Sequence, residues 1–282
     1  MKTSVFIPAH ISGFFEPFID EDPLKSGSRG AGINLSLGVK TTVYIEDSSQ
    51  QIIETYIDNS KVKSSLIEYC VRKLIDSKNM HIVVENNLDL PMAHGFGISA
   101  ASALGASLAI ARLLDINPMV ALSIAHESEI IHQTGLGDVN ACYHGGIEIR
   151  EKPGIPGIVR NIPGRYKIVL CILPGELETS EILNDEEKMN LIKRYGKRCT
   201  DELIRNPAVE NFFKLSWLFA RETKLVTEEI KGIVEEAWNY GMASMCMLGK
   251  SIFAIGDTIK LEELFGEYGR TIICDVYDKK KF

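Results

Sequence analysis

Apolar and polar positions recur along the chain in patterns that predict most of its elements. Val62 to Asp76 sets Val62, Leu66, Ile67, Cys70, Val71, Leu74 and Ile75 at helical spacing, a helix with one buried face. Ser99 to Leu114 is small or apolar almost throughout and reads as a buried helix. Val120 to His132 begins another, whose apolar positions Val120, Ile124, Ile130 and Ile131 are broken by His126, Glu127, Ser128 and Glu129. Strands are expected at Ser4–Ile7, where Pro8 stops the run and turns the chain through Ala9 to Ser12, then over Ile33–Glu46 (one or two strands), Gln51–Ile57, His81–Glu85 and Ile147–Arg150.

A charged, proline-bearing stretch from Glu151 to Gly164 reads as a junction, dividing the chain into residues 1–160 and 161–282. The second part begins with a strand at Lys167–Leu173. It continues with helices at Asp185–Arg205, Ala208–Glu222 and Thr227–Tyr240, a strand at Ser251–Ile255, a helix at Leu261–Glu267 and a strand at Arg270–Val276. The class is α+β.

Composition narrows the function. With 282 residues, 45% hydrophobic and 24% charged, the chain has the make-up of a globular protein with room for a large core. A net charge of -7 leaves no basic footprint for nucleic acid, yet it does not exclude a phosphorylated ligand held locally. Six scattered cysteines without a C-x-x-C pair suit reduced thiols and form no zinc pattern. The N-terminus lacks an apolar signal region, and the longest apolar stretch is about 16 residues against the roughly 20 of a membrane span. A cytoplasmic protein with no membrane or nucleic-acid partner is expected.

Candidate chemistry gathers around one loop. Pro91, Gly95, Phe96 and Gly97 stand directly before the small-residue helix that opens Ile98-Ser99-Ala100-Ala101-Ser102. Glycines let the backbone approach a ligand, and the first turn of a helix offers unpaired N–H groups to an anion. Ser99 adds a hydroxyl suited to a metal-bound phosphate, and Glu127 and Asp138 add carboxylates. Locally, Glu127 also fits a solvated helix face, Asp138 a turn or helix cap, and Arg29, among Gly27, Gly30 and Gly32, either a solvated residue or a carboxylate clamp. Gly249-Lys250-Ser251 imitates the end of a P-loop, but Ser244 stands where the motif needs glycine and a strand follows.

These motifs, in this order, resemble those of the GHMP kinases. Pro91-Met92-Ala93-His94-Gly95-Phe96-Gly97-Ile98-Ser99-Ala100 follows the family pattern P-x-x-x-G-L-G-S-S-A, and Glu127 precedes Asp138 by eleven residues, a spacing that family members place between metal carboxylate and catalytic aspartate. Ala9 to Glu16 and Gly27 to Asn34 resemble the subgroup that phosphorylates pantoate in archaeal coenzyme A synthesis. The resemblance implies an S5-like N-terminal domain joined to a ferredoxin-like C-terminal one, ATP and Mg²⁺ as cofactors, and phosphoryl transfer to a small-molecule hydroxyl. It further implies Ser99 and Glu127 at the metal, and Asp138 as catalytic base. ATP would be held by Pro91, the Gly95-to-Ser102 loop and Gly249. The acceptor would be held by Arg29 first, then His10, Ser12 and Arg150. A homodimer is the candidate assembly. Where the family's first motif carries lysine or arginine, this chain has His10, which leaves that activating role to His10 or to another cation. Homoserine, a mevalonate-like acid, or a non-catalytic sensor on the same fold stay open as alternatives.

Overall fold

The computed structural model describes residues 1–175 and 186–278. Its framework is an antiparallel ribbon of two long strands, β1 (Lys2–Phe18) and β2 (Gly27–Asp47). Pro8 does not end β1. The ladder shifts register between Pro8 and His10, and again between Ser12 and Phe14. Among the described strands β1 pairs with β2 alone, so a proline at an edge strand's irregularity costs no ladder bond. Ala9 to Ser12 therefore continue as strand, and so does the glycine-bearing stretch around Arg29.

On its other edge β2 is shared. Gly30 to Ile33 pair with β6 (Ile147–Lys152), and Val39 to Asp47 pair with β5 (Met80–Leu88). Beyond β5 lie β3 (Ile52–Ile57), parallel to it, and the short β4 (Ser60–Val62). Beyond β6 lies β7 (Ile158–Ile162). The stretch read as a junction thus contains a strand, one too short and too exposed to leave a period-2 signature.

Helices cover this sheet. In α1 (Ser65–Ile75) the Ser64 side chain caps the first turn by accepting the Ile67 amide. Helix α2 (Ile98–Leu113) is buried along most of its length, because its alanines let neighbouring backbones approach closely. Helix α3 (Pro118–Ile131) starts at an Asn117 cap with Pro118 in the first turn, and α4 (Asp138–His144) follows the turn Gly135-Leu136-Gly137.

The second sheet has the order β11-β8-β10-β9, every pair antiparallel, from β8 (Lys167–Ile172), β9 (Gly241–Met245), β10 (Ser251–Gly256) and β11 (Arg270–Asp275). Helices α5 (Glu186–Arg205), α6 (Val209–Glu222) and α7 (Glu228–Ala237) connect β8 to β9, and α8 (Thr258–Gly266) connects β10 to β11. This is the split β-α-β order of a ferredoxin-like sheet, with three helices in its first crossover. The expected helix start at Asp185 lies outside the described residues.

The two sheets share one core. Phe14 of β1 packs against Phe212 and Phe219 of α6, with ring centroids 6.1 and 6.4 Å apart, and Phe212 meets Phe253 of β10 at 6.1 Å. All six cysteines are buried and free. Among the described residues no helix is long and apolar enough to cross a membrane.

Two helical glycines should respond with opposite signs to the same substitution. A Cβ on Gly196 of α5 would lie 2.0 Å from the Phe15 carbonyl oxygen, whereas Gly232 of α7 has nothing within 4 Å. Gly232→Ala is expected to stabilise by about 0.5–1 kcal/mol through helix propensity. Gly196→Ala is expected to destabilise by roughly 1–3 kcal/mol through overpacking. Urea unfolding midpoints of the two variants check this.

Candidate active site

The loop before α2 is held from both sides. The His10 amide of β1 donates to the Phe96 carbonyl at 2.9 Å, and Gly97 enters α2 at φ 60, accepting the Ala101 amide at 3.0 Å. That leaves the first-turn amides of Ile98, Ser99 and Ala100 without helical acceptors, the positive end of a buried helix pointing into a cleft. The turn between β9 and β10 closes the loop from outside. Gly249 lies so near it that a Cβ would sit 2.2 Å from the His94 carbonyl carbon and 2.3 Å from the Gly95 nitrogen. Gly249 thus packs behind the loop, while its neighbours Met247 and Leu248 line the cleft.

The cleft encloses about 150 Å³ between that loop, the Thr134-to-Asp138 turn and the ribbon residues Ser12, Phe15 and Ser28, with Arg150 at its floor. Gly95, Phe96, Gly97, Ile98, Ser99 and Ala100 line it. Ala101 and Ser102 face the core of α2, and Pro91 lies outside the lining.

Beneath the cleft runs a buried row of alternating charge. His10 is fully buried; its Nδ1 lies 2.7 Å from Asp138 Oδ1 and its Nε2 3.0 Å from Glu148 Oε1. Arg150 Nη1 in turn donates to Glu148 Oε1, and both side chains are buried. A neutral imidazole has one donor and one acceptor, so a ring facing two carboxylates is the doubly protonated cation. Burial by itself lowers the His10 pKa, but the hydrogen bonds and charges of Asp138 and Glu148 outweigh it and raise the value above that of an ordinary histidine. For Asp138 burial pushes upward, and the His10 hydrogen bond and charge, with Arg150 and the Ser12 hydroxyl, outweigh it and hold the carboxyl low. Asp138 keeps 26% of its side chain exposed, at the cleft.

Geometry makes the row possible at one glycine. Ser12, Gly32 and Glu148 sit opposite one another across β1, β2 and β6. A Cβ on Gly32 would lie 2.1 Å from His10 Nε2. Without that side chain the imidazole crosses β2 and reaches Glu148.

Arg29 and Glu127, both expected at the site, lie outside the cleft lining. Arg29, expected at the acceptor, has its fork spent elsewhere. Its Nη1 donates to Glu16 at 2.9 Å, its Nη2 to Asp201 of α5 at 2.6 Å and its Nε to the Glu151 carbonyl at 2.9 Å. It ties β1, β2 and α5 together and does not line the cleft; the arginine that does is Arg150, whose Nε is buried and unpartnered. Glu127, expected at the metal, points to α1, with its carboxylate 3.8 Å from Lys73 Nζ.

The carboxylate of α3 on the cleft side is Glu129. Two residues turn a helix by about 200°, so the two glutamates occupy opposite faces. Glu129 is buried; its Oε1 accepts the Asp138 amide at 3.1 Å, and its Oε2 has no hydrogen-bond partner. Burial raises its pKa, opposed by His126 and reinforced by the Asp138 charge. A signal for Glu129 was present: it stands four residues after Ala125 and seven after Leu122, both on the buried stripe of α3. Glu148, also unanticipated, alternates with Ile147 and Ile149 in a strand buried on both faces, where a charge marks a site rather than solvent.

Comparisons with known proteins agree with this architecture. The GHMP kinases N terminal domain model matches residues 61–146. The chain is 37% identical over 264 residues to a pantoate kinase of Thermococcus kodakarensis, covering 90% of this chain and 88% of that one. It is 35% identical over 278 residues to a pantoate kinase of Methanocaldococcus jannaschii, covering 97% and 100%. A solved structure described as a phosphotransferase related to the CoA biosynthesis pathway superposes with TM-score 0.92 at 33% identity, covering 99% of this chain and 97% of that one.

The buried row should leave a signature in pH-dependent stability. A raised folded-state pKa contributes stability that is complete below the unfolded value, about 6.5 for histidine, and lost as pH rises through the folded value. The lowered Asp138 pKa contributes stability that is complete above about 4 and lost as pH falls through its folded value. The stability difference between the wild type and His10→Asn is therefore expected to be largest between those limits and to shrink toward alkaline pH, read by urea unfolding across the range.

Proposed function

Because the chain belongs to the GHMP kinase family, we propose that its cleft transfers the γ-phosphoryl group of ATP to the primary hydroxyl of pantoate, giving 4-phosphopantoate for coenzyme A synthesis. One observation carries the reading. Asp138, the first-turn residues of α2 with their free amides, and the Arg150 guanidinium with its unsatisfied Nε line one small cleft. A base, an anion cradle and a carboxylate partner are what transfer to a hydroxy acid requires.

The amides of Ile98, Ser99 and Ala100 are suited to phosphate oxygens through the helix terminus. Mg²⁺ is bound through one or two protein oxygens plus phosphates and water, so the lack of a three-ligand cluster among the described residues is no obstacle. The buried Oε2 of Glu129 makes no hydrogen bond, its nearest charged neighbour being His126 Nδ1 at 3.7 Å, and an under-satisfied buried carboxylate oxygen fits a cation ligand. With the hydroxyl of Ser99 it would hold the ion in place of Glu127. ATP with Mg²⁺ supplies the phosphoryl group and screens the charge of its oxygens.

Asp138, ionised and steadied by His10, accepts the proton of the pantoate hydroxyl as its oxygen bonds to the γ-phosphorus and the bond to the β-phosphate bridging oxygen breaks. Arg150 takes the pantoate carboxylate through its guanidinium, the role first assigned to Arg29, with the hydroxyls of Ser12 and Ser28 beside it. The six buried free cysteines fit a reducing compartment, and the reading takes the protein as cytoplasmic.

An ADP-release assay against pantoate, homoserine and mevalonate tests the proposal. Turnover with pantoate is expected; no turnover with any acceptor would favour a ligand sensor. Asp138→Asn is expected to cut kcat by about 10²–10⁴-fold while ATP binding, followed by calorimetry, stays close to wild type. For the metal, Glu129→Gln should lower kcat/KM roughly 10²-fold and raise the Mg²⁺ concentration needed. Glu127→Gln should stay within about twofold of wild type, as a solvated surface pair allows.

A further inference from the structure

We infer that Glu148, which does not line the cleft, is the positioning residue that keeps His10 a cation and so holds Asp138 as an oriented anion toward the acceptor hydroxyl. The inference rests on the role proposed for Asp138. Its support is geometric: Glu148 is fully buried, takes the Nε2 side of the imidazole at 3.0 Å and shares the same oxygen with Arg150, while Nδ1 meets Asp138 at 2.7 Å.

The consequence follows from donor counting. With an anion on each side, both ring nitrogens must carry hydrogen. Replace Glu148 by a neutral amide and the demand on Nε2 disappears. A neutral ring can then donate Nδ1–H to Asp138 while Nε2 accepts from the amide, so the hydrogen bond survives but the positive charge that fixes the direction of the Asp138 carboxylate is lost. Asp138 lies in both cases within reach of the ring, so what Glu148 sets is its charge and direction rather than its presence.

Every charged group near the ring enters this balance. From α4 come Asp138 and Cys142, whose thiol is pushed well up by burial and the surrounding carboxylates and so adds no charge. From α3, Glu129 stands behind the Asp138 amide. From β6 come Glu148 and Arg150. Opposite, β2 presents Gly32 and Asn34, and the α2 loop presents the Phe96 carbonyl and Gly97, none of which titrates. Burial lowers the His10 pKa and is outweighed by the hydrogen bonds and charges of Asp138 and Glu148 together. Glu148 is the partner that leaves Asp138 free to face the cleft.

Two measurements test this. The first is an NMR titration of ring-labelled histidine in the free wild-type protein, assigned by His10→Asn. His10 is expected to lose its proton at higher pH than the other five histidines. Titration at or below their range overturns the inference, and neither acceptor nor nucleotide is needed, so a failed pantoate assay leaves this arm intact. The second compares kcat/KM across pH for Glu148→Gln and Glu148→Asp. Glu148→Gln should lose roughly tenfold or more near pH 8.5 and much less near pH 6, with the His10 titration moved downward. Glu148→Asp, which keeps the charge, should recover most of the alkaline activity. An equal loss at every pH with the His10 titration unmoved would mark Glu148 as merely structural and overturn the proposal. If Glu148→Gln does not fold, the wild-type titration and the Glu148→Asp profile decide it.

Discussion

A row of four charges, Asp138 at the cleft and His10, Glu148 and Arg150 buried behind it, alternates in sign across β1, α4 and β6. Moving each ion out of water costs several kcal/mol, and the loss of any partner leaves an uncompensated charge in the interior. The row is tolerable only as a set, which constrains the register of three neighbouring strands at once. A one-residue slip of β6 would turn Glu148 away from the ring and put an isoleucine in its place. Gly32 belongs to the same constraint, since any side chain there occupies the position of the imidazole.

This constraint also separates two jobs within one cleft. The α2 terminus attracts anions by oriented backbone dipoles, without titratable groups, and its loop is clasped by β1 on one side and Gly249 on the other. The charged row lies beneath the cleft, and in the proposed reaction it gives Asp138 a definite protonation state on the acceptor side. A net charge of -7 is therefore compatible with the proposed phosphate site, because positive potential there comes from helix geometry and Arg150 rather than from overall composition.

Arg29 and Arg150 illustrate how burial redistributes roles. Both lie near the ribbon, and both could in principle clamp a carboxylate. Arg29 meets Glu16, Asp201 and the Glu151 carbonyl, and those partners consume its fork in joining the long strands to α5. Arg150 lines the cleft and retains a buried, unpartnered Nε. The difference lies in which acceptors surround each guanidinium.

Local pattern determined most of the elements, the glycine loop before α2, the family, and the turn that carries Asp138, because periodicity and loop chemistry act over a few residues. It did not determine that β1 runs through Pro8, since the register shift that accommodates a proline belongs to the pairing with β2. It put forward Glu127 and left Glu129 aside, two carboxylates in one polar cluster that helix phase sends to opposite faces once α1 and the Asp138 turn pack on α3. Asp201 meets Arg29 across 172 residues and Glu148 meets His10 across 138. Which donors are spent and which face the cleft was decided by the tertiary structure, because the satisfaction of a charge depends on partners that the chain brings together only on folding.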